Sequence, residues 1–313
     1  MSQTFKLLYL RASVVFLFVT AVSTCLAADQ DDVAAALNEA TQSITNEKHL
    51  LRYRFQPGEK LRYQTEHLAT VDTTISGSNQ KMQMRSISDR AYVVKEVTSE
   101  GNIIFEHVLE NVDMWRSVEG RKPVRYNSKT DAEPPVEYED VAKNVGKTLD
   151  QITMDPQGSI VSRNDKQDSP DLGMGGVSIP LPAEAVPIGH TWSKPVDIRV
   201  RSDDQRVKVV KVRLQYELKK VSAGVATIGV TTQVLTPITN AKIKSQLIQQ
   251  LSQGELRFDM DAGRLLSKQL DWDETVIGFS GADSNMKYLA RFNEKLLDTA
   301  TETASKAEPA NSK

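Results

Sequence analysis

Between Lys60 and Ile75 every second side chain belongs to one set. Leu61, Tyr63, Thr65, His67, Ala69, Val71, Thr73 and Ile75 share one parity; Lys60, Arg62, Gln64, Glu66, Thr70 and Asp72 share the other. The pattern returns at Val196, Ile198 and Val200 against Asp197, Arg199 and Arg201. It returns again at Val210, Val212, Leu214, Tyr216 and Leu218 against Lys211, Arg213, Gln215, Glu217 and Lys219. A period of two puts one set on a buried face and the other in water, the signature of antiparallel strands. At about 3.3 Å per residue, the first run reaches on the order of 50 Å. Strands of that length curl around a core or bend at bulges. The expected fold is therefore mainly β, with long antiparallel strands forming curved sheets or a sandwich.

Further strands are expected at Leu50–Phe55, Lys81–Val97, Asn102–Val118, Gln151–Met154 and Ser159–Arg163, then at Val225–Leu235, Glu255–Met260, Arg264–Trp272 and Met286–Phe292. Turn chemistry separates them at Pro57-Gly58, Ser76-Gly77, Gly101-Asn102 and Ala223-Gly224. Two short helices interrupt the strands. One lies near Tyr138–Val145; the other runs over Ala241–Gln253, with Ile243, Leu247, Ile248 and Leu251 on one stripe and Gly254 as its stop.

The ends read differently. Residues 1–27 have the form of a secretory signal peptide: Lys6 and Arg11, an apolar run from Val14 to Val22, then small residues up to Ala27. Export to the periplasm or the cell exterior follows. Val22-Ser23-Thr24-Cys25 approaches the box that precedes a lipid-modified cysteine, although Thr24 departs from it; with Cys25 removed, the chain has no thiol chemistry. Residues 28–48 are expected to form an N-terminal helix, with Val33, Leu37, Ala40 and Ile44 at helical spacing. The body divides into a first β unit at 49–165, a Gly- and Pro-rich linker or loop at 166–185, and a second β unit at 186–298. Residues 299–313 form a polar tail. No mature segment has the ~20 apolar residues of a transmembrane helix. Loss of Lys6 and Arg11 moves the formal charge from −2 to about −4, and a mildly acidic chain with no basic excess argues against nucleic acid as the main partner.

The two β units resemble each other. Pro57-Gly58-Glu59 opens the first, and Pro187-Ile188-Gly189 the second. Tyr92 to Val97 turns at Gly101, as Tyr216 to Val221 turns at Gly224. Met154-Asp155-Pro156-Gln157-Gly158 closes the first and Met260-Asp261-Ala262-Gly263 the second. Three matches in one order point to an internal duplication.

Motifs for chemistry are missing from the sequence. Gly146-Lys147-Thr148 lacks the earlier glycine of a phosphate loop, since Val141 stands there; Gly173 to Gly176 has no strand before it or helix after it. His49, His67, His107 and His190 never pair at ligand spacing. Asp259, Asp261, Asp271, Asp273 and Glu274 concentrate acid near one hairpin, but Leu270 stands where a calcium loop needs its bidentate acid. Trp115, Trp192 and Trp272 are assigned to the core, with Trp192 in phase with Val196. No catalytic, cofactor-binding or metal-binding residue is nominated.

Pro182, Val186, Gly189 and Trp192 make a Pro-x-x-x-Val-x-x-Gly-x-x-Trp segment, and Asp155 with Gly158 an Asp-x-x-Gly hairpin. In these the chain resembles a class of exported bacterial β proteins of unknown function. The second hairpin departs from that spacing, Asp261 standing two residues before Gly263 and Asp259 four. More loosely, a curved sheet is similar to periplasmic lipoprotein carriers. The resemblance implies a secreted β fold and no particular activity. The expected function is that of a non-enzymatic envelope protein, binding a lipid or other apolar ligand, or a protein partner, on a sheet face. The alternative is a secreted hydrolase, for which a histidine with an acid partner in a cleft would speak.

Overall fold

The computed structural model describes residues 47–164, 178–202 and 204–301, the last four by their backbone alone. The expected signal peptide and the expected N-terminal helix up to Asn46 lie outside the described residues.

Among the described residues fourteen strands form: β1 (Lys48–His49), β2 (Glu59–Ile75), β3 (Ser78–Val97), β4 (Ile103–Val118), β5 (Val124–Asn127), β6 (Thr148–Met154) and β7 (Ile160–Arg163), then β8 (Val186–Pro187), β9 (Thr191–Arg201), β10 (Val207–Ser222), β11 (Val225–Val234), β12 (Gln253–Asp259), β13 (Arg264–Ile277) and β14 (Asn285–Thr301). Two short helices, α1 (Glu139–Ala142) and α2 (Ala241–Leu247), interrupt them, each adjoined by one 3₁₀ turn. Twelve strands make one antiparallel sheet in the order β7-β6-β4-β3-β2-β14-β13-β12-β11-β10-β9, with β5 added to β4; β1 and β8 pair separately. The fold is mainly β, as the alternation requires, and of the two architectures considered it is the single curved sheet.

The curvature follows from two adjacent amides. Tyr53 N donates to Pro156 O in the β6–β7 turn, and Arg54 N donates to Gly263 O in the β12–β13 turn, each at 3.0 Å. These turns stand five strand steps apart, which in a flat sheet would be roughly 24 Å. Neighbouring residues span about 3.8 Å, so the acceptors lie within about 10 Å of each other and the sheet is curled around them. The edge strands β7 and β9 do not pair, so no barrel closes. A strap does the joining at this end instead. Leu181 N bonds Gln157 O in the β6–β7 turn, and Trp192 Nε1, on β9, donates to Pro180 O at 2.7 Å.

Several expectations are corrected here. Leu50–Phe55 is not a strand: its amides bond turns rather than a neighbouring strand, while Leu51 and Tyr53 plug the core. Lys48 is not helical but pairs with Pro187. The described part of the expected linker, from Ser178, is packed: Ile179 and Leu181 are buried, and Ile179 N donates to Tyr53 Oη at 2.9 Å. The second helix ends at Leu247, because Gln253 already belongs to β12; its cap is Asn240, whose Oδ1 accepts from Ile243 N. β14 continues to Thr301, into the expected tail. Trp272 is buried, but Trp192 is only half-buried, stacked on Tyr216 at 5.7 Å. Trp115 pairs with Arg85, opposite in phase to the core residues of β3 and β4, and sits on the outer face.

The two halves correspond in detail. Gly58 N donates to Val94 O and Gly189 N to Leu218 O, at 2.8 and 2.7 Å, both glycines having φ of +80° or more. The β3–β4 ladder shifts register between Val94 and Glu96, and the β10–β11 ladder between Leu218 and Lys220. Counted from Tyr92 and Tyr216, the bulges at Lys95 and Lys219 coincide. The final hairpins also bulge alike, at Val161 and Leu266, but they align Asp155 with Asp259 rather than with Asp261. Asp155 Oδ1 accepts from Gln157 N and Ser159 N; Asp259 Oδ1 accepts from Asp261 N and Ala262 N.

Candidate functional site

Register fixes which side chains meet on the inner face. Next to the plugged end, Lys268, Glu294, Thr65 and Ser88 stand side by side on β13, β14, β2 and β3. All four are buried, a polar band across an otherwise apolar core. Lys268 Nζ lies 3.1 Å from Glu294 Oε1, yet neither carboxylate oxygen has an aligned hydrogen-bond donor, so the contact is more electrostatic than directional. The Thr65 and Ser88 hydroxyls are 2.7 Å apart, and Arg90 Nε donates to Ser88 Oγ. Burial pushes the hydroxyls of Tyr53, Tyr63 and Tyr92 far above the usual tyrosine range, and the charge of Glu294 pushes the same way.

The band continues diagonally through His107. Its ring stacks on Tyr92 at 4.7 Å, and its Nδ1 lies 3.0 Å from Asp150 Oδ1; Arg163 Nε holds the other carboxylate oxygen at 3.1 Å. This is a histidine with an acid partner, the feature that would speak for a hydrolase. It lies inside the core, however: His107 is 5 % exposed and its Nε2 meets neither a hydroxyl nor any other partner.

On the other side of the band the inner face is mostly apolar, although the register also places His67, Thr73, Ser86 and Arg116 on it. Successive rows pair Phe292 with His67, Ala290 with Ala69, Tyr288 with Val71 and Met286 with Thr73, while Met84 faces Ala69 and Met82 faces Val71 from β3. Met82, Met84 and Met286, three of the eight methionines, are half-buried here, Met84 and Met286 packing on the core that holds the buried Trp272 and Tyr288; Met114 packs instead on a smaller cluster with Tyr126 and Tyr138. The plug and strap are tied to the opposite end of the sheet, at the turns holding Pro156, Gln157 and Gly263. Unbranched thioether side chains repack readily around different shapes. Two polar groups mark the compartment. Trp272 Nε1–H is buried with no acceptor among the described residues, and His67 Nε2 lies 3.5 Å from Tyr288 Oη, the His67 pKa being lowered by burial.

The other residues weighed from sequence serve structure. His49 lies in β1, and His190 stacks beside Trp192 at 6.4 Å. Asp259 caps its turn, Asp271 pairs with Arg291 and Asp273 with Lys287; no group of acids and histidines suited to a metal occurs among the described residues. Gly173 to Gly176 lies outside the described residues. Sequence reasoning missed the Lys268–Glu294 pair. Its signal was present, since Lys268 falls in phase with Leu270 and Trp272, and Glu294 with Phe292 and Leu296.

No protein-family model and no curated protein matches the chain. Among solved structures it is similar to one described as lipid–protein interactions in lipovitellin, at 11 % identity and TM-score 0.45, over 82 % of this chain and 27 % of that one. The chain thus spans about a quarter of lipovitellin. DynF of the dynemicin biosynthesis pathway of Micromonospora chersina aligns at 6 % identity and TM-score 0.21, over 81 % of this chain and 90 % of that one. Neither similarity is close enough to bear on function.

Proposed function

We propose that this is an exported, non-catalytic binding protein that holds an apolar ligand on the inner face of its sheet. The methionine-lined compartment carries the reading: a half-buried, mostly apolar face, bounded at its inner end by the polar band. The indole N–H of Trp272, unpaired among the described residues, favours a ligand with one acceptor oxygen in an otherwise apolar body, such as a long-chain alcohol or ester. The two halves, with matching bulges and turns, are copies of one five-stranded unit joined through β14.

Mild peroxide oxidation tests the site. A bound long-chain alcohol should protect Met82, Met84 and Met286, whereas Met154, fully buried, stays unoxidised with or without it. Equal oxidation of those three methionines in both conditions would reject the compartment. A hydrolase reading has one observation in its favour, the His107–Asp150 contact. Esterase activity lost in His107→Gln, with the fold retained, would establish that reading instead.

A further inference from the structure

A separate cleft of about 680 Å³ opens at the turn end, between the two halves. Its apolar wall is Phe55, Val97, Ile103, Pro156 and Ala262. Opposite stands Arg264, whose guanidinium lies 5.9 Å above the Phe55 ring. Arg264 Nη1 pairs with Glu59, and Nε donates to Ala262 O at 3.3 Å; among the described residues no hydrogen bond is formed by Nη2. Glu59 is itself buried and bonded by Gln56 N at 3.1 Å. The cleft therefore offers a half-buried donor whose charge is already neutralised, beside an aromatic and aliphatic wall. A volume in this range suits a small molecule. Arg54 and Asp261 also line the cleft, so two cations stand against two carboxylates and the lining has no net formal charge; a ligand carboxylate would enter unbalanced, while a neutral acceptor would not.

We infer that this cleft is a second ligand site, taking a small uncharged molecule that joins an apolar ring or short chain to a carbonyl acceptor. The carbonyl accepts from Arg264 Nη2, and the apolar part lies against Phe55, Val97 and Ile103. The site is distinct from the methionine-lined compartment and does not depend on it.

Calorimetric titration of the full mature chain with N-acetylphenylalaninamide tests this, with N-acetylphenylalanine as the charged comparison. Saturable binding of the amide is expected, at least ten-fold tighter than the acid. Arg264→Lys keeps a cation opposite Glu59 but loses the free donor, and should weaken the amide about ten-fold. Ala262→Trp should abolish binding by filling the cleft; Gln56→Trp, at the exposed rim, does the same should the first variant fail to fold. No saturable heat, an acid that binds as well as the amide, or undiminished binding in the filled variants would overturn the inference. Failure here would leave the oxidation result for the other compartment untouched.

Discussion

Lys268 and Glu294 face each other across β13 and β14, 3.1 Å apart, with their side chains 1 % and 2 % exposed. Taking both ions out of water is expensive, and the attraction between them offsets the cost only in part. Removing one partner leaves the other charge stranded. Glu294→Gln and Lys268→Met should each lower stability by about 3–5 kcal/mol, while the double change to Met and Leu should be close to neutral. Urea unfolding of the three variants checks this; a double variant as damaged as the singles would show that the site requires charge.

Three buried tyrosines predict an alkaline limit. The hydroxyls of Tyr53, Tyr63 and Tyr92 are raised by burial, and that of Tyr288 is raised by burial to about 12. A folded pKa above the unfolded value stabilises the native state fully below about pH 10 and progressively less as pH rises toward the folded value. Unfolding should therefore coincide with tyrosinate formation. Tyr288→Phe should move the alkaline midpoint upward. Ionisation of these tyrosines near their ordinary pKa in a chain that keeps its circular dichroism would contradict the assignment.

Gly158 decides how closely the strap docks. Its φ is +85°, and a Cβ there would lie 2.2 Å from Ile179 O and 2.5 Å from the Tyr53 ring. Gly158→Ala should thus cost more than Tyr53→Phe, which leaves the Ile179 N–H without its acceptor and removes the longer bond that Tyr53 Oη donates to Ile179 O, a loss of about 1–3 kcal/mol. Comparable unfolding midpoints for the two variants would mean that the strap moves aside freely.

What the sequence discloses and what it hides divide along physical lines. Alternation shows wherever one face is wet, so Leu61, Tyr63 and Ala69, or Val210 to Leu218, revealed both strand and buried face. Leu51 and Tyr53 alternate too, but they pack as a plug whose amides bond turns, and periodicity cannot tell a sheet neighbour from a turn. β5 is four residues long, too short for a pattern. His107 and Asp150 meet because β4 and β6 pair, a contact across 43 positions that no local spacing encodes. The methionine compartment was legible only as scattered residues until register placed Met84 beside Ala69 and Met286 beside Thr73.

The exposed edge of β9 supplies a final prediction. Gln246 of α2 bonds both polar groups of Arg201: its Oε1 accepts from Arg201 N, and its Nε2 donates to Arg201 O, each at 2.8 Å. Arg201 therefore directs its backbone outward, and residues at two-residue steps along the strand do the same. Pro195 falls in that set, so its missing N–H faces away from β10 and costs the ladder nothing. One side-chain amide and one proline thus guard an edge that would otherwise invite another chain. Gln246→Ala should change unfolding stability by only about 1 kcal/mol but raise self-association. Pro195→Val should add to the effect, and the double variant should aggregate fastest, as followed by light scattering at matched concentration. Unchanged association in the double variant would mean that the charged side chains of Asp197 and Arg199 protect this edge by themselves.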